Sequence, residues 1–283
     1  MSRIDLHAHT IHSDGTLTPT ALVRLAGEVG LSMLAVTDHD TTSGLEEARD
    51  EGRRTGIEVI AGCEVSTRID AGNVHVLGLG FDPSHAGFQR FLAQVRERRD
   101  ERNVRMLERL AQVGAPITME EVRKHAHGRI VARPHIGRAL VERGYVRDLR
   151  EAFTQYLKDG GRAYVEVVAP HPTEAVKAIR EAGGAAVLAH PGQIRLTGRE
   201  AYDAFLRELV AAGLAGMEVW HPSHDSDDRA MFLALATQHG LVPSGGSDFH
   251  GETKPHIKLG TGDGTIAMER ATWDALGARR RVA

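Results

Sequence analysis

Six segments of this chain place a histidine or a carboxylate at or just beyond the C-terminal end of an apolar run. The runs are Arg3 to Ala8, Leu31–Val36, Ile57–Ala61, Ala185–Leu188, Gly216–Trp220 and Leu241–Ser244. The polar residues at their ends are His7/His9, Asp38/His39, Glu64, His190, His221 and Asp248/His250. Between the runs lie helix signals. Thr18-Pro19 supplies an N-cap and a first-turn proline ahead of a helix over Ala21–Val29, which Gly30 ends. Further helices are predicted over Ser43–Thr55, Thr173–Ala182, Glu200–Ala212 and Asp227–Gln238. About seven such strand-helix units predict a parallel α/β sheet or barrel. Sites in such barrels assemble on the rim formed by the C-terminal strand ends. The pattern therefore constrains the fold and the position of the chemistry together.

The first run shows what that chemistry is. Alternate strand residues share a face, so His7 and His9 point the same way. Burying two unpaired imidazoles together is unfavourable unless something coordinates or neutralises them. Asp14, on the turn Ser13-Asp14-Gly15, can fold back over the strand end, and His75 falls inside a further strand, Val74–Leu79, after the turn Ala71-Gly72-Asn73. Nine candidate metal ligands then converge: His7, His9, Asp14, His39, Glu64, His75, His190, Asp248 and His250. A structural zinc needs four ligands, so the number argues for two or three ions. The imidazole and carboxylate set, without thiolate, suits catalytic Mn, Zn or Fe. Adjacent ions stabilise both the attacking and the leaving oxygen of an in-line displacement.

At 283 residues and 41% apolar, the chain can bury one barrel-sized core. Its net charge of −3 gives no general reason to bind nucleic acid or membrane. One cysteine, Cys63, excludes an intrachain disulfide and reads as a small packing residue in a reducing compartment. With no signal-like apolar segment, the expected location is the cytoplasm.

The alternation lapses between His85 and Gly161. A charged helix is predicted over Gly87–Val113, then shorter ones over Met119–Ala126, Pro134–Glu142 and Leu149–Leu157. Residues 96–150 hold fourteen Lys/Arg against eight Asp/Glu, on a chain that is net acidic. The expected organisation is a barrel from residues 1–85 and 162–283 with a helical, arginine-rich cap at 86–161. Guanidinium groups bind phosphate bidentately. The stretch Arg129 to His135 is the candidate anion loop, because Pro134 would open a helix whose N-terminus favours anions.

Five motifs carry a family resemblance: the His7-x-His9 pair, Thr37-Asp38-His39-Asp40, Gly62-Cys63-Glu64, Ala189-His190-Pro191 and Gly246-Ser247-Asp248-Phe249-His250. In this order, over nearly the whole chain, they resemble the PHP (polymerase and histidinol phosphatase) family. The resemblance implies a distorted (β/α)7 barrel with a di- or trinuclear centre used for phosphoester hydrolysis. It implies that His7, His9, Glu64 and Asp248 hold one ion, Glu64, His75 and His190 a second, and Asp14, His39 and His250 a third. Mn is the expected metal, with Zn or Fe as alternatives.

Within the family, the length and the helical insertion resemble the 3′,5′-nucleoside bisphosphate phosphatases. The implied reaction removes the 3′-phosphate from a substrate such as pAp by metal-activated hydroxide. Asp14 and His221 take catalytic roles, His221 lining the pocket or protonating the leaving oxygen. Arg99, Arg102, Arg133 and His135 contact substrate. The expected partner is a small phosphorylated nucleotide or a short RNA, with no membrane and no obligate protein partner. Alternatives are a 5′→3′ exoribonuclease on short oligonucleotides, a histidinol-phosphate phosphatase and, in another reaction class, a metal-dependent amidohydrolase. Trp220 and Phe249 read as packing residues.

Overall fold

The computed structural model describes residues 3–280. Its eight strands are β1 Arg3–Asp5, β2 Leu31–Val36, β3 Glu58–Ile69, β4 Gly72–Leu79, β5 Ala185–Leu188, β6 Gly216–Trp220, β7 Val242–Gly245 and β8 Met268–Glu269. They form one sheet in the order β7-β6-β5-β4-β3-β2-β1-β8. The sheet curls until the segment after β7 meets the segment after β1. There Ala8 bridges Phe249, and the Asp248 N–H donates to the His7 carbonyl at 2.9 Å. The result is a nearly closed, distorted α/β barrel.

The helices are α1 Pro19–Glu28, α2 Leu45–Thr55, α3 Ala86–Gln112, α4 Met119–Arg123, α5 Arg133–Glu142, α6 Leu149–Ala152, α7 Pro172–Glu181, α8 Arg199–Ala212, α9 Ser226–Gln238 and α10 Arg270–Gly277. Apolar side chains from α1, α2, α7, α8 and α9 pack on the outer strand faces, among them Leu22, Leu45, Ile179, Leu206 and Phe232. A second cluster, with Ile4, Leu6, Met33, Leu77 and Val187, lies on the other side of the strands. Phe88 and Leu92, early in α3, join the barrel core. Its later residues Met106 and Leu110 belong to a separate core with Ile136, Leu140 and Leu157. A single 27-residue helix therefore ties the helical unit to the barrel. Among the described residues no helix is long and apolar enough to cross a membrane.

Four features differ from the sequence expectation. The first strand stops at Asp5, whose buried carboxylate accepts the His7, Ser247 and Gly260 N–H groups. The third strand does not end before Glu64. It runs on to Ile69, and its second part, Gly62 to Ile69, pairs with an antiparallel β4, which in turn runs antiparallel to β5. So the sheet is mixed, and Glu64 and His75 reach the site from inside strands. The helix expected over 149–157 divides into α6 and a π-helical turn, Phe153–Leu157. Finally, β8 and α10 carry no strong periodic signal in the sequence. β8 exists because it pairs antiparallel with the exposed side of β1.

Candidate metal centre

The rim gathers the nine expected ligands. His9, Asp14, His39 and His250 form one cluster, His7, His9, Glu64 and Asp248 a second, and His39, Glu64 and His75 a third; in each, the ligand atoms lie within 4.8 Å of one another. His190 completes the set, with its Nε2 2.8 Å from Glu64 Oε1. Glu64 sits at the middle. One oxygen meets His75 Nδ1 at 2.7 Å and His190, while the other meets His7, His9 and His39 at 3.1–3.2 Å.

Three local devices hold this arrangement. Asp38 accepts from Thr10 N (2.8 Å), Thr10 Oγ1 (2.6 Å) and Ser13 Oγ (2.6 Å), and so ties the loop carrying Asp14 to the end of β2. Gly246 lies against His7 so closely that a Cβ there would collide with the His7 Cβ and backbone. Asp40, His190 and Asp248 have φ of +53°, +25° and +52°, values that L residues with side chains seldom adopt. All three lie in the rim motifs.

The donor set fits divalent cations. Glu218 Oε1 lies 3.0 Å from His7 Nδ1 and holds a proton there, which turns Nε2 inward. That Nε2 faces His9 Nε2 at 3.1 Å, Glu64 Oε2 at 3.2 Å and Asp248 Oδ1 at 3.5 Å. Lone pairs thus meet lone pairs, an arrangement that a proton or a cation must relieve. Asp14 Oδ1, His39 Nδ1 and His75 Nδ1 are also buried, close to His250 and Glu64 but without an aligned hydrogen bond. Second-sphere carboxylates of this kind orient ligating imidazoles and raise their basicity.

The electrostatics agree. Burial opposes charge on His7, yet Glu218, Glu64 and Asp248 together hold it well above the usual imidazole range. His9 is raised to about 9 despite burial, by Asp248 and Glu64. Against the cost of burial, His39, His75 and His7 keep Glu64 well below the usual carboxylate range, and Lys254 and His250 do the same for Asp248. Burial pushes His39 down to about 3, leaving it a neutral ligand. The carboxylates of the site call for positive charge, which protons on His7 and His9 supply when no cation does, and His39 offers a neutral nitrogen.

The remaining expected residues divide. Arg99, Arg133, Glu64, His75 and His190 line a cavity of about 270 Å³ over the ligand cluster. Arg99, Arg102 and Arg133 line a second, more enclosed cavity of about 60 Å³ that shares Ser66, His75, Arg99 and Arg133 with the first. Arg99 is paired with Asp40 and donates to Ser66 Oγ at 2.6 Å. Arg102 and Arg133 have no carboxylate partner among the described residues, and Arg133 donates to the Leu157 carbonyl at 3.3 Å. Burial, then Arg99 and Arg133, push Arg102 down to about 9.

His135 instead turns Nδ1 back to accept the Ala132 N–H at 3.1 Å, closing the first turn of α5. His221 packs behind Asp248, with Nε2 3.3 Å from Asp248 Oδ2 and Nδ1 2.7 Å from Ser223 Oγ. Both of its ring nitrogens are engaged. Cys63 is buried, and burial followed by Asp40 and Asp38 raises its thiol well above the ordinary value, as expected for an inert packing residue.

Several site residues lie outside the motif reading. Glu218 is one. A lone carboxylate inside the apolar run Gly216–Trp220 is itself a signal, because a fully buried charge must have a partner. Lys254, in contact with Asp248, carried no such signal.

A mixed α/β barrel with histidines and carboxylates converging on its rim defines a metal-dependent hydrolase. Residues 5–170 match the PHP domain. The chain belongs to the PHP family of metal-dependent phosphoesterases. It is 40% identical over 262 residues to the 5′-3′ exoribonuclease Rnm of Escherichia coli (strain K12), covering 90% of this chain and 87% of that one. It is 37% identical over 287 residues to the 3′,5′-nucleoside bisphosphate phosphatase of Chromobacterium violaceum, covering 99% and 98%. A solved structure from Bifidobacterium adolescentis, described as a candidate metal-dependent phosphoesterase, matches with a TM-score of 0.88 and 35% identity over 98% of this chain and 96% of that one.

Proposed function

We propose that this protein removes the 3′-phosphate from 3′,5′-nucleoside bisphosphates, with adenosine 3′,5′-bisphosphate as the model substrate. One observation carries the reading. A pocket lined by the buried Arg102 and the half-buried Arg133, neither with a carboxylate partner among the described residues, adjoins the ligand cluster. Such groups are costly unless an anion joins them. A substrate with two phosphates fills both places, one on the arginines and one over the cluster. Histidinol phosphate, with one phosphate, would leave the arginines unpaired.

His7, His9, Glu64 and Asp248 would hold one ion, Glu64, His75 and His190 a second, and Asp14, His39 and His250 a third, with His9 close enough to share. Two or three divalent ions, Mn or else Zn or Fe, fit these donors. When bound, such ions supply Lewis acidity and lower the pKa of water. The protein's own part is positioning and charge. Arg99, Arg102 and Arg133 hold the phosphate that stays, and the first turn of α5 presents its N-terminal end to the adjoining cavity over the ligand cluster. Lys254 adds positive charge beside Asp248. Glu218 keeps His7 in the tautomer that points Nε2 inward, and His221 braces Asp248 rather than reaching the leaving oxygen.

A second reading, 5′→3′ hydrolysis of short oligonucleotides, has its own support. The arginine pocket shares Val167 and Ala169 with an outer groove that bears Arg68 and Arg105 beside Asp70 and Glu166, the latter paired with Arg68, so that Arg105 is the cation left to meet a further phosphate. The test is to load the purified protein with Mn and offer adenosine 3′,5′-bisphosphate and a labelled short RNA. Phosphate release from the bisphosphate supports the first reading. Mononucleotide release from RNA without free phosphate supports the second, and neither product refutes both.

A further inference from the structure

The main cavity has one aromatic wall that is not an imidazole. Phe153 lines it together with Arg133 and Pro134. The ring is half-buried: one part packs against the helical core, and the rest faces the cavity. Phe249 belongs to the barrel core and Trp220 packs against it, while Tyr164 lines the smaller arginine pocket, where its hydroxyl accepts from Arg68 at 3.4 Å.

Two features mark Phe153 as placed rather than left over. It opens the π-helical turn Phe153–Leu157, and π-turns of this kind are rare and often sit at functional sites. The Arg133 guanidinium carbon also lies 5.9 Å from the centre of the Phe153 ring, within cation–π range. Arg133 thereby touches both the anion pocket and the ring. A nucleotide whose phosphate is held by Arg133 carries its base beside the part of this ring that faces the cavity.

We infer that Phe153 is the nucleobase platform of this site, a stacking surface that selects nucleotides over other bisphosphates. The inference rests on the bisphosphatase reading and adds a recognition element to it. Stacking on a ring tolerates any base, because each base has a π-face. The platform therefore distinguishes the presence of a base more than its identity. An aliphatic residue of similar volume fills the same space without the π-face.

The experiment compares kcat/KM for adenosine 3′,5′-bisphosphate with that for the 3,5-bisphosphate of 1,2-dideoxyribose, which keeps both phosphates and lacks the base. In wild type the ratio favours the nucleotide. Phe153→Leu, which preserves packing, and Phe153→Ala should each lower the ratio roughly tenfold, mainly through KM for the nucleotide. Phe153→Tyr should restore it. A ratio unchanged in the Leu and Ala variants overturns the platform while leaving the phosphatase reading intact. Equal losses on both compounds also overturn it, because they indicate a packing role. A wild-type protein that releases phosphate from neither compound overturns the underlying reading, and the platform with it.

Discussion

The Nε2 atoms of His7 and His9 lie 3.1 Å apart, and Glu64 Oε2 stands 3.2 Å from the first and 3.1 Å from the second. Such a contact is unfavourable without positive charge between the three groups. Divalent ions should therefore stabilise the fold as well as support activity. Binding at a hundredfold excess over Kd contributes about 2.7 kcal/mol, or roughly 5 °C in melting temperature for a chain of this size. Chelation should lower the melting temperature by about that much, and Mn should restore it. A melting temperature indifferent to both would remove the basis of the metal assignment.

Glu64 and Glu218 should fail in different ways. Glu64→Gln removes the carboxylate that five imidazoles share, so bound metal and phosphoesterase activity should both fall by at least a factor on the order of one hundred. Glu218→Gln leaves the ligands in place and loosens the orientation of His7, costing about ten- to a hundredfold in metal affinity. Excess metal should then rescue Glu218→Gln and not Glu64→Gln. Metal titration followed by activity assay distinguishes the two.

Arg102 should show a conflict between stability and binding. A buried guanidinium without a carboxylate partner destabilises the free protein, so Arg102→Met should raise the melting temperature. The same change should raise KM for adenosine 3′,5′-bisphosphate at least roughly tenfold, because it removes a charged hydrogen bond to the retained phosphate. Thermal melts and steady-state kinetics on one preparation decide the matter. A lower melting temperature with an unchanged KM would assign Arg102 a structural role.

Asp40 links the ligand cluster to the cap. It adjoins His39, pairs with Arg99, and accepts the Ser66 N–H at 2.7 Å; its own carbonyl accepts from Arg96 at 2.8 Å. Asp40→Asn should free Arg99 and raise KM several-fold, while metal content stays near wild type. If metal is lost in proportion to activity, Asp40 serves the ion site instead.

Much of this arrangement is legible in the residues. Leu31–Val36, Ala185–Leu188 and Gly216–Trp220 are apolar runs that read as strands, and the motif at each strand end marks the rim. The reversal of β4 is harder to see. Val74–Leu79 has the same apolar character whether it runs parallel or antiparallel, and only the tight Asp70-Ala71 connection hints at a hairpin. The ring directions of His135 and His221 also escape sequence reasoning. Motif position says that a histidine is near the rim, while the direction of its ring depends on Ala132, Ser223 and Asp248. Phe153 gave no signal, since a π-turn differs from an α-turn by a single hydrogen-bond shift.

The contact between the His7 carbonyl and the Asp248 N–H also has a consequence during synthesis. At about 5–20 residues per second, His7 and His9 emerge on the order of ten seconds before Asp248 exists. Throughout that interval the nascent chain displays a histidine pair, while β1 still lacks its β8 neighbour. An ion captured by that pair then lacks Asp248 and is held by an incomplete ligand set. Selection of the proper metal is thus postponed until β7 has arrived and the barrel has closed. Loading becomes a late checkpoint on a finished chain, and a ribosome that stalls before Asp248 leaves a product unable to pass it.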